Sequence, residues 1–236
     1  MGAKHPTRFG PLRLRKGVCI AFLGLDGAGK STLLMQLIEA LEEAGVETRS
    51  RHMHPGLLPP LARLAFQPVD NGPVTDPHGK RPSGLLVSFL RLTYYWVDYV
   101  SGYAFLVFPY LAFPGASRQG RAFIFDRYSY DYLVDPLRCR VRLPAWLVRL
   151  FCWATPSPDL SIVLVAAPEV LRARKPELPL DELRSQAARL TALAEGLPQA
   201  TCIDTSAPVE ECHQQVLDAV RRFFPTQLRA RGAKVE

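Results

Sequence analysis

The sequence predicts an α/β domain, a mostly parallel sheet of five strands with helices on both faces. Two patterns carry that expectation. Short apolar runs rich in β-formers recur along the chain, and each is followed by apolar residues at helical spacing. The first such pair is joined by Gly24-Leu25-Asp26-Gly27-Ala28-Gly29-Lys30-Ser31-Thr32, which fits the template G-x-x-x-x-G-K-[ST]. At 236 residues, 48% of them hydrophobic, the chain has material for one domain with a large core.

The elements follow in order. Residues 17–23 read as a buried strand, and Leu33, Leu34, Leu37, Ile38 and Leu41 mark the helix after the loop, which Gly45 stops. Glu47–Met53 is a second strand, ending at His54-Pro55-Gly56. Pro59, Pro60, Pro68, Pro73, Pro77 and Pro82 then mark a long irregular segment, with at most a short helix over 61–66. A loop of that length in a compact domain points to function. Ala122–Phe125 is a third strand and runs into Asp126-Arg127-Tyr128. A helix is predicted from Pro144, as its first residue, to Trp153, then a strand over Leu160–Ala166. Pro168 opens the next helical stretch, whose apolar periodicity runs from Leu171 to Leu193. Thr201–Ile203 is the last strand, and Pro208 starts a terminal helix reaching Phe224.

Between Leu85 and Phe113 the chain is apolar and aromatic, with Arg91 and Asp98 its only charges. Three environments suit such a stretch: a buried or dimer-forming helix, shallow membrane contact, or a membrane span. Both charges lie inside it and Pro109 interrupts it, which counts against a span. Tyr94, Tyr95, Trp96, Tyr99 and Tyr103 suit a headgroup layer.

The net charge of +7 belongs to the two ends. Residues 1–16 carry Lys4, Arg8, Arg13, Arg15 and Lys16 with no acid, and residues 221–236 carry five cations against Glu236. The domain is therefore placed at 17–224, between basic tails at 1–16 and 225–236. The tails lack the interleaved aromatics of a single-strand platform, so no nucleic-acid partner is expected; solvated tails and weak attraction to a membrane surface remain. Five scattered cysteines suggest reduced, mostly buried thiols in a cytoplasmic protein. The apolar run after the basic start ends inside the glycine loop, so cleavage there would destroy it, and export is not expected. Met1-Gly2 fails the myristoylation pattern because Pro6 stands at the Ser/Thr position.

The chemistry begins at the loop. Its glycines let successive N–H groups point at phosphate oxygens, Lys30 adds a mobile cation, and the Ser31 hydroxyl suits Mg²⁺. Gly24, Asp26, Gly27, Ala28, Gly29, Lys30, Ser31 and Thr32 are thus the candidate nucleotide-binding residues. Asp126, at a strand end where α/β sheets face their ligands, is the second candidate for Mg²⁺. Arg127 offers a planar guanidinium for an anionic acceptor. Arg172, Arg174 and Lys175 could neutralise charge on a transferred phosphoryl group, since Gly27 and Ala28 cannot. The bland alternatives are a strand-end ion pair for Asp126-Arg127 and a solvated helix face for the later cations. Arg91, in an apolar helix, must find an anion such as Asp98, another carboxylate or a substrate. His52 and His54 could face one side of a strand end, but no third ligand accompanies them for zinc.

With these pieces assembled, the chain resembles the thymidylate kinase family of nucleoside monophosphate kinases. Phe22 to Thr32 is similar to that family's phosphate loop, including the carboxylate at Asp26, and Asp126-Arg127-Tyr128 to its Asp-Arg-aromatic motif. Pro158-Asp159-Leu160, then Pro168-Glu169-Val170 with Arg172, resembles the fourth strand and lid entrance, and Ile203-Asp204 with Ser206 the last strand. The resemblance implies a three-layer α/β/α P-loop NTPase fold, ATP with Mg²⁺ as donor, and a homodimer packed through the helix at about 85–103. It implies that Asp26 helps hold the acceptor and that Arg127 lies between donor and acceptor phosphates. Three segments depart from the family. Where its Arg-Glu-Pro-Gly-Gly would stand, this chain has His52-Met53-His54-Pro55-Gly56, with Arg51 nearby but displaced. The Ser-x-x-Ala-Tyr-Gln run is replaced by Ser129-Tyr130-Asp131-Tyr132-Leu133-Val134-Asp135-Pro136. Arg91 stands near a thymine-facing arginine, amid more aromatic residues.

Three functions are consistent with this pattern. The first is an ATP-dependent phosphotransferase acting on a deoxynucleoside monophosphate such as dTMP, with Lys30, Asp126, Arg127, Arg172 and Arg174 as catalytic candidates and Asp26, Arg51, Arg91 and Arg127 facing the small-molecule acceptor. The second keeps the donor half but uses a sugar or lipid-linked acceptor. The third is a nucleotide-binding protein without catalysis.

Overall fold

The computed structural model describes residues 17–59, 84–113, 120–197 and 199–223. The two tails, the proline-rich segment with the helix predicted over 61–66, and Phe224 lie outside them. Five strands form one sheet: β1 (Gly17–Gly24), β2 (Glu47–His52), β3 (Arg121–Asp126), β4 (Leu160–Val165) and β5 (Ala200–Asp204). Their order is β2-β3-β1-β4-β5, and every pairing is parallel, so the mostly parallel sheet expected from sequence is wholly parallel.

The crossovers place the helices. β1 reaches β2 in one direction through α1 (Lys30–Glu43), whereas every later connection steps the other way along the sheet. Right-handed crossovers therefore put α1 on one face and the remaining connections on the other. α8 (Val209–Arg221), after the last strand, returns to pack on α1. The opposite layer contains α2 (Leu85–Gly102), α3 (Phe108–Ala112), α4 (Asp131–Val134), α5 (Ala145–Ala154), α6 (Pro168–Arg174) and α7 (Leu180–Gly196). β1, β3 and β4 supply fully buried runs such as Ile20–Leu23 and Ile162–Leu164, as central parallel strands covered on both faces must.

Several boundaries differ from the sequence expectation. Pro144 is the cap residue before α5, extended at ψ 138°, and not its first helical residue. The periodicity read from 171 to 193 is cut after Arg174: Lys175 is extended before Pro176, which disfavours helix in the preceding residue, and a second helix begins only after Pro179. Pro109 does not stop the apolar helix. A π-turn over Tyr103–Val107 shifts the hydrogen-bond register, and Pro109 then falls in the first turn of α3, where its missing N–H costs little. Among the described residues no helix is long and apolar enough to cross a membrane. None of the five cysteines is in a disulfide; Cys19, Cys152 and Cys212 are buried, but Cys202 is exposed.

α2 is not buried all round. Ser88, Leu92, Asp98, Tyr99 and Gly102 form its inward stripe, while Leu86, Leu90 and Val97 face outward. Asp98 sits in this apolar helix because its carboxylate has two backbone partners, the N–H of Gly56 at 3.1 Å and of Leu58 at 2.7 Å. It does not meet Arg91, whose Nη1 instead donates to the Arg140 carbonyl at 3.3 Å. Tyr99 donates to the carbonyl of Met53, and Gly102 lies against Pro55. A Cβ at Gly102 would overlap Pro55 Cβ. Gly102→Ala, favourable for an isolated helix, is therefore expected to destabilise the domain by about 1–3 kcal/mol and lower Tm by several degrees, read by thermal denaturation.

Candidate active site

The site forms at the C-terminal edge of the sheet, where β1 ends between β3 and β4. β1 delivers the chain into a tight loop: Ala28 N–H bonds the Leu25 carbonyl, and Gly29, left-handed at φ 77°, caps α1. Gly27 must be glycine for two reasons. Its φ is 83°, and a Cβ there would come within 2.9 Å of the Leu171 carbonyl oxygen. The loop is thus pressed against α6, with the N-terminal amides of α1 aimed at its hollow.

Lys30 opens α1. Its ammonium donates to the carbonyls of Gly24 and Leu25, each at 2.7 Å, and lies 4.0 Å from Asp26. Burial, helped by the Arg127 charge, brings its pKa down to about 8, although Asp26, Asp131 and Asp126 pull it up. Ser31 and Thr32 are exposed on the first turn.

Asp26 is the centre of the charge network. One carboxylate oxygen meets Arg127 Nη2 at 2.5 Å; the other meets Arg138 and lies 3.7 Å from Lys175. Burial pushes this carboxyl up, but Arg127, Arg138 and Lys30 outweigh it and hold it well below the usual carboxylate range. Arg127 is left-handed at φ 73°, and its Nη1 meets Asp131 at 2.6 Å. Burial disfavours the charge of Arg127, and Asp131 and Asp26 more than restore it. Lys175 is also 3.1 Å from Glu177. Four cations and three carboxylates from four parts of the chain therefore converge beside the phosphate loop.

Asp126 closes β3, opposite Phe22 of β1 and His52 of β2. His52 Nδ1 lies 2.9 Å from its Oδ2, and this hydrogen bond is the main cause of its lowered pKa. Its Oδ1 is buried and has no hydrogen-bond partner among the described residues. A buried, anionic oxygen left over beside the loop, with the exposed Ser31 hydroxyl on the first turn of α1, is a donor set suited to Mg²⁺. Among the described residues no three His, Cys, Asp or Glu side chains are grouped as ligands for a metal ion.

The other predicted residues are dispersed. Arg174 Nη2 donates to the Thr205 carbonyl at 2.9 Å, and Nη1 lies 3.5 Å from the Gly27 carbonyl, so this arginine bridges the loop and the turn after β5. Arg172, two residues earlier, is exposed and projects elsewhere from the helix. Arg51 is exposed on the edge strand, one residue before His52 and hence on the other face of the sheet. Arg91 contacts the Arg140 carbonyl. Arg138 and Asp131 were not singled out from sequence; the signal available was the four-residue step from Arg127 to Asp131, a helical spacing that repeats to Asp135.

Compared with protein-family profiles and with characterised proteins, the chain matches none.

His54 lies after β2, where its ring stacks on Tyr95 at 4.2 Å and meets Tyr99 edge-on at 5.3 Å. Nε2 is 3.5 Å from the Tyr132 hydroxyl, and Nδ1 is buried without a partner among the described residues. Burial lowers its pKa to about 4, against a raising influence of Asp98. The unfolded chain takes this proton near pH 6.5, and the folded chain refuses it until about pH 4. Stability should therefore fall as pH drops through that window, by up to about 3 kcal/mol. His54→Phe keeps a ring without the titration; its ΔG of unfolding should exceed wild type at pH 4.5 and approach it at pH 7, measured by urea denaturation.

Proposed function

We propose that this chain is an ATP- and Mg²⁺-dependent phosphotransferase of the thymidylate kinase type, acting on a nucleoside monophosphate or a related phosphorylated acceptor. The observation that carries this reading is the convergence of Lys30, Arg127, Arg138 and Lys175 on Asp26 beside the phosphate loop. Such a cluster can hold two anionic substrates whose mutual repulsion would otherwise keep them apart.

In the proposed reaction an oxygen of the acceptor phosphate attacks the γ-phosphorus of ATP, the bond to the β–γ bridging oxygen breaks, and ADP leaves. Ser31 and Asp126 would hold Mg²⁺, which supplies charge neutralisation at the β- and γ-phosphates. Loop amides and Lys30 bind the donor phosphates, and the two carbonyls now held by Lys30 are weak competitors for its charge. Asp26 and Asp131 fix the Arg127 guanidinium from two sides, leaving its position defined before substrate arrives. Arg174 supports the donor side by tying the loop to the turn after β5.

One observation favours a changed acceptor over dTMP. The turn after β2, where the resembled family carries an acceptor-binding arginine, presents a neutral His54 packed on tyrosine. Acceptor charge must then be met by Arg127, Arg138 and Lys175, and the remainder of the acceptor by aromatic surface. This suits a sugar or lipid-linked phosphate as well as a nucleotide.

Purified protein incubated with Mg²⁺-ATP and a panel of nucleoside monophosphates, sugar phosphates and polyprenyl phosphates should convert one class. Lys30→Ala should reduce that turnover by about 10²–10³-fold while preserving the fold. Absence of turnover with every acceptor, with ATP binding intact, would instead support a non-catalytic nucleotide-binding protein.

A further inference from the structure

β2 and β3 end side by side, and their register pairs His52 with Asp126. Backbone bonds clamp Asp126 from both neighbours: its carbonyl accepts from the Met53 N–H at 2.8 Å, and the next amide, that of Arg127, donates to the Phe22 carbonyl at 2.9 Å. These bonds do not fix the carboxylate, which can still turn about its side-chain torsions. His52 removes that freedom. Its Nδ1 lies 2.9 Å from Asp126 Oδ2. Against a carboxylate oxygen at that distance Nδ1 must carry the proton, so the bond also sets the imidazole tautomer.

The two side chains differ in their surroundings. That of His52 is 67% exposed, so it fills no space in the core, and an exposed pair of this kind adds little to stability. That of Asp126 is 23% exposed, and its second oxygen, Oδ1, is buried with no hydrogen-bond partner among the described residues. The charges of Lys30 and Arg127 both act on this carboxylate, which places it beside the phosphate loop. An exposed histidine thus occupies one oxygen of a half-buried carboxylate and leaves the other over. Arg51, one residue earlier on β2, faces the other side of the sheet and cannot take its place.

We infer that His52 is a positioning residue for the divalent metal: by holding Oδ2 it presents Oδ1 alone, which makes Asp126 a one-oxygen ligand and favours Mg²⁺ over Ca²⁺. Mg²⁺ takes near-octahedral geometry with one or two carboxylates and several waters, whereas the larger Ca²⁺ accepts more oxygens and can take both from one carboxylate. Groups that hydrogen-bond a metal ligand typically govern about 10–100-fold in metal affinity. The inference rests on the proposed reading of Asp126 as a Mg²⁺ ligand and adds to it what sets the pose of that ligand. It also gives a role to a histidine whose burial and packing supply none.

The test is the affinity of the full chain for the non-hydrolysable β,γ-imido analogue of ATP, measured by titration calorimetry in Mg²⁺, in Ca²⁺ and in EDTA. Wild type should bind more tightly in Mg²⁺ than in EDTA, and Asp126→Asn should lose most of that gain. His52→Leu should lose about tenfold in Mg²⁺ and little in Ca²⁺ or EDTA. His52→Asn, which keeps an N–H donor near the place of Nδ1, should recover most of the loss. In His52→Leu/Asp126→Asn the two losses should not add, since one residue acts through the other. If the analogue does not bind, or if wild type and Asp126→Asn gain equally from Mg²⁺, the metal reading of Asp126 fails and the inference with it. If Asp126→Asn loses the gain while His52→Leu keeps it, that reading stands and the inference is overturned. Losses that add in the double variant, or a His52→Leu loss that persists in EDTA, overturn it as well, by giving His52 a contact of its own with the nucleotide.

Discussion

The contact on which the site depends is the ion pair between Asp26 and Arg127. Asp26 lies in the phosphate loop, Arg127 at the end of β3, and through the same carboxylate Arg138 and Lys175 are drawn in from the connections before α5 and between α6 and α7. A carboxylate buried in a tight loop is costly unless cations surround it. Here burial and cations oppose one another, and the cations win. Loss of that charge would leave the buried Arg127 with Asp131 alone and the partly buried Arg138 without its carboxylate partner. The carboxylate thus fixes the loop and gathers the positive charge that substrates would meet.

Much of the fold was legible because its signals are local. Apolar runs such as Val18–Leu23 and Ala122–Phe125 are central parallel strands, and central strands cannot hide their composition. The edge strand β2 has a polar sequence, Glu-Thr-Arg-Ser-Arg-His, and only its place between the Gly45 stop and His54-Pro55-Gly56 marked it. What failed was punctuation. The break at Lys175–Pro179 was missed because buried leucines recur on both sides of it, Leu171 before and Leu183 and Leu190 after. Pro109 was overrated because a π-turn can reset the register in front of it, and no sequence pattern announces that turn.

The candidate site was legible in its glycine loop and obscure in the cations gathered around it. Gly24 to Thr32 declares itself, since a phosphate cradle needs glycines and a lysine at fixed spacing. Asp126 and Arg127 followed from their place at a strand end. Arg138 did not, because its partner is distant in the sequence and nothing nearby demands an arginine. Arg51 and His52 show how one residue decides a role: alternation along β2 sends His52 to Asp126 and Arg51 to the other face. Asp98, one of the anions considered for Arg91, is taken by backbone amides, and the Arg91 guanidinium meets a backbone carbonyl, a partner that leaves no mark in the sequence.

The fastening of α2 to the turn after β2 has a mechanical consequence. Asp98 holds the amides of Gly56 and Leu58, Tyr99 holds the carbonyl of Met53, and Gly102 lets Pro55 lie directly on the helix backbone. These anchors span about one turn of helix and grip nearly every residue from Met53 to Leu58. The helix and the turn therefore form a single strut, with apolar side chains on its outer edge and His54 on its inner edge. Because the Met53 N–H also bonds the carbonyl of Asp126 at 2.8 Å, that strut is tied at its inner end to the close of β3, and the position of one follows the position of the other.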